Sequence, residues 1–208
     1  LDAAVIPGVS ALHLALCEDP DHVRKVADRV SQLETERGIA PGAVRLIAML
    51  ESPSALLLAR EIATASPRMA GLTLGMEDYA TTMGTTPNAD LLRPACYQIT
   101  QAARAAGIAP LAVPASMANF RDAEEMESAA GWARRIGAVG GYAVHPVQVE
   151  ILNRVFAPSE EEIAWAHRVV EAAARAKREG AGVFTVDGKM VDLPIITRAH
   201  DIIGRQAG

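Results

Sequence analysis

Leu46-Ile47-Ala48-Met49-Leu50 is a run of five apolar residues, and Glu51-Ser52-Pro53 follows it directly. A short apolar run bounded by turn chemistry predicts a strand buried on both faces. Ser52 suits a helix N-cap, and Pro53 suits the first helical turn, where its missing N–H is not needed. Glu51 therefore falls where a buried strand gives way to a helix. The pattern returns at Leu72-Thr73-Leu74-Gly75-Met76-Glu77-Asp78, with the second acid 27 residues on (78 − 51). Two parallel strands one βα unit apart bring Glu51 and Asp78 to the same end of a sheet, where such folds carry their chemistry.

The same reading extends along the chain. Residues 3–8 predict a short strand ending at Pro7-Gly8. Residues 19–37 predict an amphipathic helix, with Val23, Val26, Val30 and Leu33 at steps of three and four and Gly38 as its C-terminal stop. Strands follow at 44–50, 71–74, 108–113 and 140–144, the last stopped by His145-Pro146. Helices are predicted over 54–65, 91–106 and 122–136, and loops over 78–88 and 114–119. Five strands alternating with helices, joined by connections too long for hairpins, are the signature of a parallel sheet with right-handed crossovers.

After Pro158 the pattern changes. Ser159 with Glu162 forms a capping box that opens a helix ending near Gly180. Asp187-Gly188 then sits between Val183-Phe184-Thr185-Val186 and Met190-Val191-Asp192, the signal for a tight hairpin. A short helix over 194–205 follows. Residues 1–158 thus read as the sheet-and-helix body, and 159–208 as a helix, hairpin and helix that serve as a lid or intersubunit arm.

Composition narrows the class. Half of the 208 residues are hydrophobic but only 4% are aromatic, which suits layered α/β packing. A formal net charge of −5 leaves no electrostatic footprint for nucleic acid. Cys17 and Cys96 are two lone cysteines that imply neither a disulfide framework nor a zinc site, and read as buried reduced thiols. No apolar run reaches membrane-spanning length, and Leu1-Asp2-Ala3-Ala4-Val5 has no signal-peptide features, so a cytoplasmic, reducing compartment is expected. The sequence opens without a methionine, which predicts that it begins inside a longer polypeptide.

A strand-end pair such as Glu51 and Asp78 has three physical readings. The two can share a hard divalent cation that keeps waters and substrate oxygens, act as an acid and a base, or cap the adjacent helices. Glu77 beside Asp78 weighs against capping alone, because adjacent acids repel unless a cation or a donor satisfies them. His145 before Pro146 reads as a hydrogen-bonded scaffold residue. Asp192, taken by composition, reads as a loop acid or N-cap.

Several segments together resemble one family. They are Ala48-Met49-Leu50-Glu51-Ser52-Pro53-Ser54-Ala55, Gly75-Met76-Glu77-Asp78, and Val144-His145-Pro146-Val147-Gln148-Val149. Asn153-Arg154-Val155-Phe156-Ala157-Pro158-Ser159 and Val186-Asp187-Gly188-Lys189-Met190-Val191-Asp192-Leu193-Pro194 complete the set. In order and spacing they resemble the citrate lyase β-subunit-like branch of the HpcH/HpaI aldolase superfamily, which includes malyl-CoA and citramalyl-CoA lyases. The resemblance implies a (β/α)8 TIM barrel, assembled as a homotrimer or hexamer, with its N-terminal strands lying outside this sequence. It implies a Mg2+-dependent lyase that cleaves or forms a 3-hydroxyacyl thioester such as malyl-, citramalyl- or citryl-CoA. The partners would be an α-keto acid and an acyl thioester on CoA or an acyl carrier. By the same resemblance Glu51 and Asp78 are the metal ligands, Glu51 also borders the substrate, and Asp192 is the catalytic proton-transfer group. His145 and Gln148 match a barrel-rim motif and are expected to place backbone. The alternatives are a pyruvate-type class II aldolase of the same superfamily, needing no lid acid, and a degenerate, non-catalytic subunit.

Overall fold

The computed structural model describes residues 1–180 and 182–206, and the chain divides after Phe156 into two compact units. In the first unit the strands β1 (Ala11–Leu14), β2 (Arg45–Leu50), β3 (Met69–Leu74) and β4 (Ala109–Leu111) form one parallel sheet in that order. The helices between them are α1 (Pro20–Glu36), α2 (Pro53–Leu57), α3 (Ala59–Ala63), α4 (Met76–Thr82) and α5 (Ala89–Ala105). A 3-10 turn at Met117–Asn119, α6 (Ala123–Arg135) and α7 (Pro146–Phe156) complete the unit.

Alternation along the strands sorts the side chains. Leu46, Ala48 and Leu50 on β2 are fully buried against Val30, Leu33 and Ile62 of the helical layer. Ile47 and Met49 point to the other face, which also takes Glu51. The register carries this across the sheet, pairing His13 with Ile47, Ile47 with Gly71, and Thr73 with both Met49 and Leu111. The sheet also curls. The Tyr142 hydroxyl, from the segment beyond β4, lies 2.8 Å from His13 Nδ1 on β1 at the far end of the strand order.

The N-terminal rim is held by a buried ion pair. Glu34 of α1, 1% exposed, accepts from Arg68 at 2.9 and 2.5 Å and from the Gly42 and Val44 N–H groups at 2.9 Å each. Arg68 also donates to the Val44 carbonyl and to Ser31 Oγ. The Arg68 hydrogen bonds hold the Glu34 carboxyl down at about 2, against the opposing effect of burial.

The structure corrects five expectations. Residues 3–8 are turns rather than a strand, with Gly8 at φ +93, and the first strand is Ala11–Leu14. Residues 140–144 make no strand. Val139 N–H donates to the Pro110 carbonyl, but Pro110 has no N–H to return, and Gly140-Gly141 follow. The described sheet of this unit therefore has four parallel strands, not five, and the eight of a closed barrel are not seen. The expected 78–88 loop begins as helix α4, and Pro146 opens α7 instead of ending a strand. The single helix expected over 54–65 is broken at Leu58 (φ −99, ψ 14) into α2 and α3.

The second unit pairs α8 (Glu160–Arg178) with α9 (Leu193–Gln206) and carries the hairpin β5 (Phe184–Val186) and β6 (Lys189–Val191). The Ser159–Glu162 capping box forms as read. Asp187 and Gly188 turn the hairpin with φ of +50 and +74, and the Asp187 carboxylate takes Arg168 of α8 at 2.9 Å. Ala166, Val169, Val186, Val191 and Ala199 make the small core of this unit.

Candidate functional site

Three acids stand one after another where β1, β2 and β3 run out at their C-terminal ends: Glu18, Glu51 and Asp78. Glu51 is set by its strand. It follows Leu50, and the Leu50 carbonyl accepts from Gly75 N–H at 2.9 Å, so the Glu51 side chain lies against the end of β3. Gly75 makes room for it. A Cβ at Gly75 would come within 2.5 Å of Glu51 Oε1 and 2.8 Å of Glu51 Cδ.

The other Glu51 oxygen, Oε2, accepts a short hydrogen bond from the Leu16 N–H. Leu16 adopts φ +48, a left-handed conformation rare for leucine, while its side chain is 61% exposed. Packing of that side chain gives no reason for the conformation; delivery of the N–H to Glu51 does. Glu51 is 6% exposed. Burial is the largest influence on its carboxyl and pushes it above the usual range. The Leu16 hydrogen bond opposes this, and the charges of Asp78 and then Glu18 add to the rise.

Asp78 and Glu77 part company in the first turn of α4. Glu77 Oε1 accepts from Ser116 Oγ at 2.5 Å, which ties α4 to the loop after β4. A donor thus satisfies Glu77, the part of the repulsion argument that left a cation or a donor open. Asp78 is exposed, has no side-chain hydrogen bond among the described residues, and its charge reaches Glu51. Glu18, also exposed, accepts from Ser52 Oγ at 2.5 Å. Sequence reasoning passed over Glu18, although Glu18-Asp19-Pro20 repeats the acid, N-cap and proline of Glu51-Ser52-Pro53. Both Asp19 and Ser52 do cap their helices.

The donor set fits a hard divalent cation. Two carboxylates stand at neighbouring strand ends within reach of each other's charge, one with an oxygen already oriented by a backbone N–H and the other with no side-chain hydrogen bond among the described residues. No group of three or more His, Cys, Asp or Glu positioned to hold a metal occurs among the described residues. A cation gripped by Glu51 and Asp78 would therefore keep several positions for water or substrate oxygens.

The remaining sequence candidates lie elsewhere. Gln148 is buried and its Oε1 accepts from Val144 N–H at 2.8 Å, while His145 Nδ1 accepts from Val147 N–H at 3.3 Å and its ring packs 5.3 Å from Phe120. Both therefore hold the backbone at the start of α7. Asp192 belongs to the second unit, between β6 and α9. Its carbonyl accepts from Ile195 and Ile196, and its carboxylate has no hydrogen bond among the described residues. No helix among the described residues is long and apolar enough to cross a membrane.

Over 207 residues the chain is 35% identical to the citrate lyase subunit beta of Haemophilus influenzae, covering 99% of this chain and 70% of that protein. It is 34% identical to the L-malyl-CoA/beta-methylmalyl-CoA lyase of Rhodobacter capsulatus, covering 79% of this chain and 57% of that one. A Mycobacterium tuberculosis structure, of the protein CitE in complex with magnesium, acetoacetate and coenzyme A, superposes with a TM-score of 0.67 at 26% identity. The match covers 95% of this chain and 78% of that one. With residues 1–146 matching its pattern, the chain belongs to the HpcH/HpaI aldolase/citrate lyase family, in the citrate lyase β-subunit-like branch of carbon–carbon lyases.

Proposed function

We propose that this chain carries the metal-binding wall of a Mg2+-dependent lyase that breaks or forms the C–C bond of a 3-hydroxyacyl thioester, such as malyl-, citramalyl- or citryl-CoA. The carrying observation is the state of Glu51: one oxygen held by the Leu16 N–H, the other over Gly75, and the charge of Asp78 reaching it. Bound Mg2+ would supply Lewis-acid polarisation of the α-keto acid carbonyl. Glu51 and Asp78 hold the cation and fix which side of it meets the substrate. Asp192, on the helix–hairpin–helix unit offered as a lid or arm to a neighbouring subunit's site, would deliver a proton to the thioester α-carbon in cleavage and remove it in synthesis. A carboxylate is a weak base for such a carbon, so fixed dipoles around the developing enolate must lower the barrier.

The curled sheet, with His13 and Tyr142 in reach of each other, supports a (β/α)8 barrel wall. The magnesium and coenzyme A of the Mycobacterium tuberculosis complex support the choice of metal and thioester carrier. Assembly into a trimer or a pair of trimers belongs to the same proposal and is read by light scattering.

The test is a panel of malyl-, citramalyl- and citryl-thioesters with Mg2+, run on the natural full-length polypeptide. Glu51→Ala abolishes metal-dependent turnover. Asp192→Ala spares metal affinity and stops hydrogen exchange at the thioester α-carbon. Unchanged exchange in that variant removes Asp192 from the mechanism, and aldol turnover of pyruvate without any thioester overturns the substrate class.

A further inference from the structure

Two loops at the acidic rim brace each other. The chain leaves β1 through Leu16-Cys17-Glu18 and leaves β2 through Glu51-Ser52, and each loop sends one donor to the other's carboxylate. Leu16 N–H donates to Glu51 Oε2, and Ser52 Oγ–H donates to Glu18 Oε2. The Ser52 oxygen also accepts from Ala55 N–H at 3.1 Å as the cap of α2. Ser52 therefore joins the start of α2 to the β1–α1 loop through a single hydroxyl. Its bond to Ser52 is the only side-chain hydrogen bond of Glu18 among the described residues.

We propose that Glu18 is a positioning residue for the Glu51 carboxylate, acting through Ser52. The Glu18–Ser52 bond holds the two loops in register, and that register keeps the left-handed Leu16 presenting its N–H to Glu51 Oε2. With Oε2 fixed, Oε1 stays turned over Gly75. Glu18 touches neither cation nor substrate in this role. The inference rests on the metal-site reading above for its purpose, although the brace itself is a property of the chain alone.

The experiment follows the Leu16 amide proton by 15N–1H NMR and the affinity for Mn2+ by calorimetry, in Glu18→Ala, Glu18→Gln, Ser52→Ala, Ser52→Thr and the double alanine variant. The Leu16 amide proton resonates downfield in the parent and moves upfield in Glu18→Ala and in Ser52→Ala. Each of these weakens Mn2+ binding about tenfold, as loss of a partner that orients a ligand does. The double variant is no weaker than the worse single, because both changes cut one connection. Glu18→Gln keeps an acceptor and Ser52→Thr keeps the hydroxyl, so both preserve the parent signals. Ser52→Ala also removes the α2 cap; Glu18→Ala does not, and it decides the matter if the serine variant fails to fold. A Leu16 amide unmoved by Glu18→Ala overturns the proposal. Additive losses, or a glutamine variant as weak as the alanine one, overturn it in favour of direct action by the Glu18 charge. A parent that binds no Mn2+ refutes the metal-site reading, while the Leu16 amide still decides the brace.

Discussion

Replacing Gly75 by alanine tests the geometry of the site without touching a charged group. Gly75 has φ −84 and ψ 94, a conformation any L-residue can adopt, so the substitution carries no backbone penalty. The new methyl would stand 2.8 Å from Glu51 Cδ, while ordinary contact begins at 3.4 Å, so the carboxyl carbon must retreat by at least 0.6 Å (3.4 − 2.8). Oε1 must retreat by 0.9 Å (3.4 − 2.5). Glu51 is buried and its other oxygen is tied to Leu16, so the movement loosens that bond or shifts the loop. Overpacking of this kind costs about 1–3 kcal/mol. In a Glu51→Ala background the three atoms nearest the methyl are gone. There the glycine-to-alanine change stabilises by about 0.4–1 kcal/mol through the unfolded chain. Urea unfolding of the parent, both single variants and the double variant should give a coupling of about 2 kcal/mol. The displacement also exceeds the tolerance of about 0.5 Å that a binding constellation allows, so Mn2+ affinity should fall in Gly75→Ala while the fold persists. Equal cost of Gly75→Ala in both backgrounds would refute the placement of Glu51 over the glycine.

Two further predictions bear on the same unit. The Glu34 carboxyl is lowered from 4.5 to about 2, so its contribution to stability is complete above about 4.5 and is lost as pH falls towards about 2. Arg68→Met should destabilise by about 3 kcal/mol at neutral pH and flatten that acid limb, as read by urea midpoints across the window; an unchanged limb would detach Glu34 from acid unfolding. Leu16→Gly relieves a left-handed conformation that costs a leucine about 1–2 kcal/mol, against a loss of about 0.4–1 kcal/mol from the freer unfolded chain. Its melting temperature should equal or exceed the parent's, with Leu16→Val below both; the reverse order would show that Leu16 is unstrained.

How much of this was legible depends on where each signal lives. β2 and the start of α2 are legible because Glu51-Ser52-Pro53 punctuates an apolar run, although only Leu46, Ala48 and Leu50 are fully buried while Ile47 and Met49 on the other face are half-buried. β1 was missed because His13 interrupts its apolar pattern, and His13 lies on the concave face, where one side of the sheet is open to polar groups. The 140–144 stretch has strand composition, but strand formation also needs a neighbour that can donate, and Pro110 cannot. Pro146 reads as a terminator in the sequence, whereas a proline at a first helical position starts a helix as readily as one ends a strand. Strand-end position alone singles out Glu51 and Asp78 as the candidate pair. The N–H that orients Glu51 is not legible, since it depends on a left-handed leucine that no residue pattern announces.

The unit contains two buried glutamates, and the contrast between them argues for a functional rim more strongly than either does alone. Glu34 lies at the N-terminal rim with Arg68 across both its oxygens and two backbone N–H groups besides, and its carboxyl is lowered to about 2. Glu51 lies at the C-terminal rim with one backbone N–H, two like charges facing it, and a carboxyl that is raised. The same chain thus supplies one buried acid with its own counterion and leaves the other short of positive charge. A carboxylate kept for stability recruits its partners from within the fold. Glu51 instead sits over a glycine, accepts from the N–H of the left-handed Leu16 and feels the charge of Asp78, and the cation proposed above would relieve that shortage by binding the folded chain.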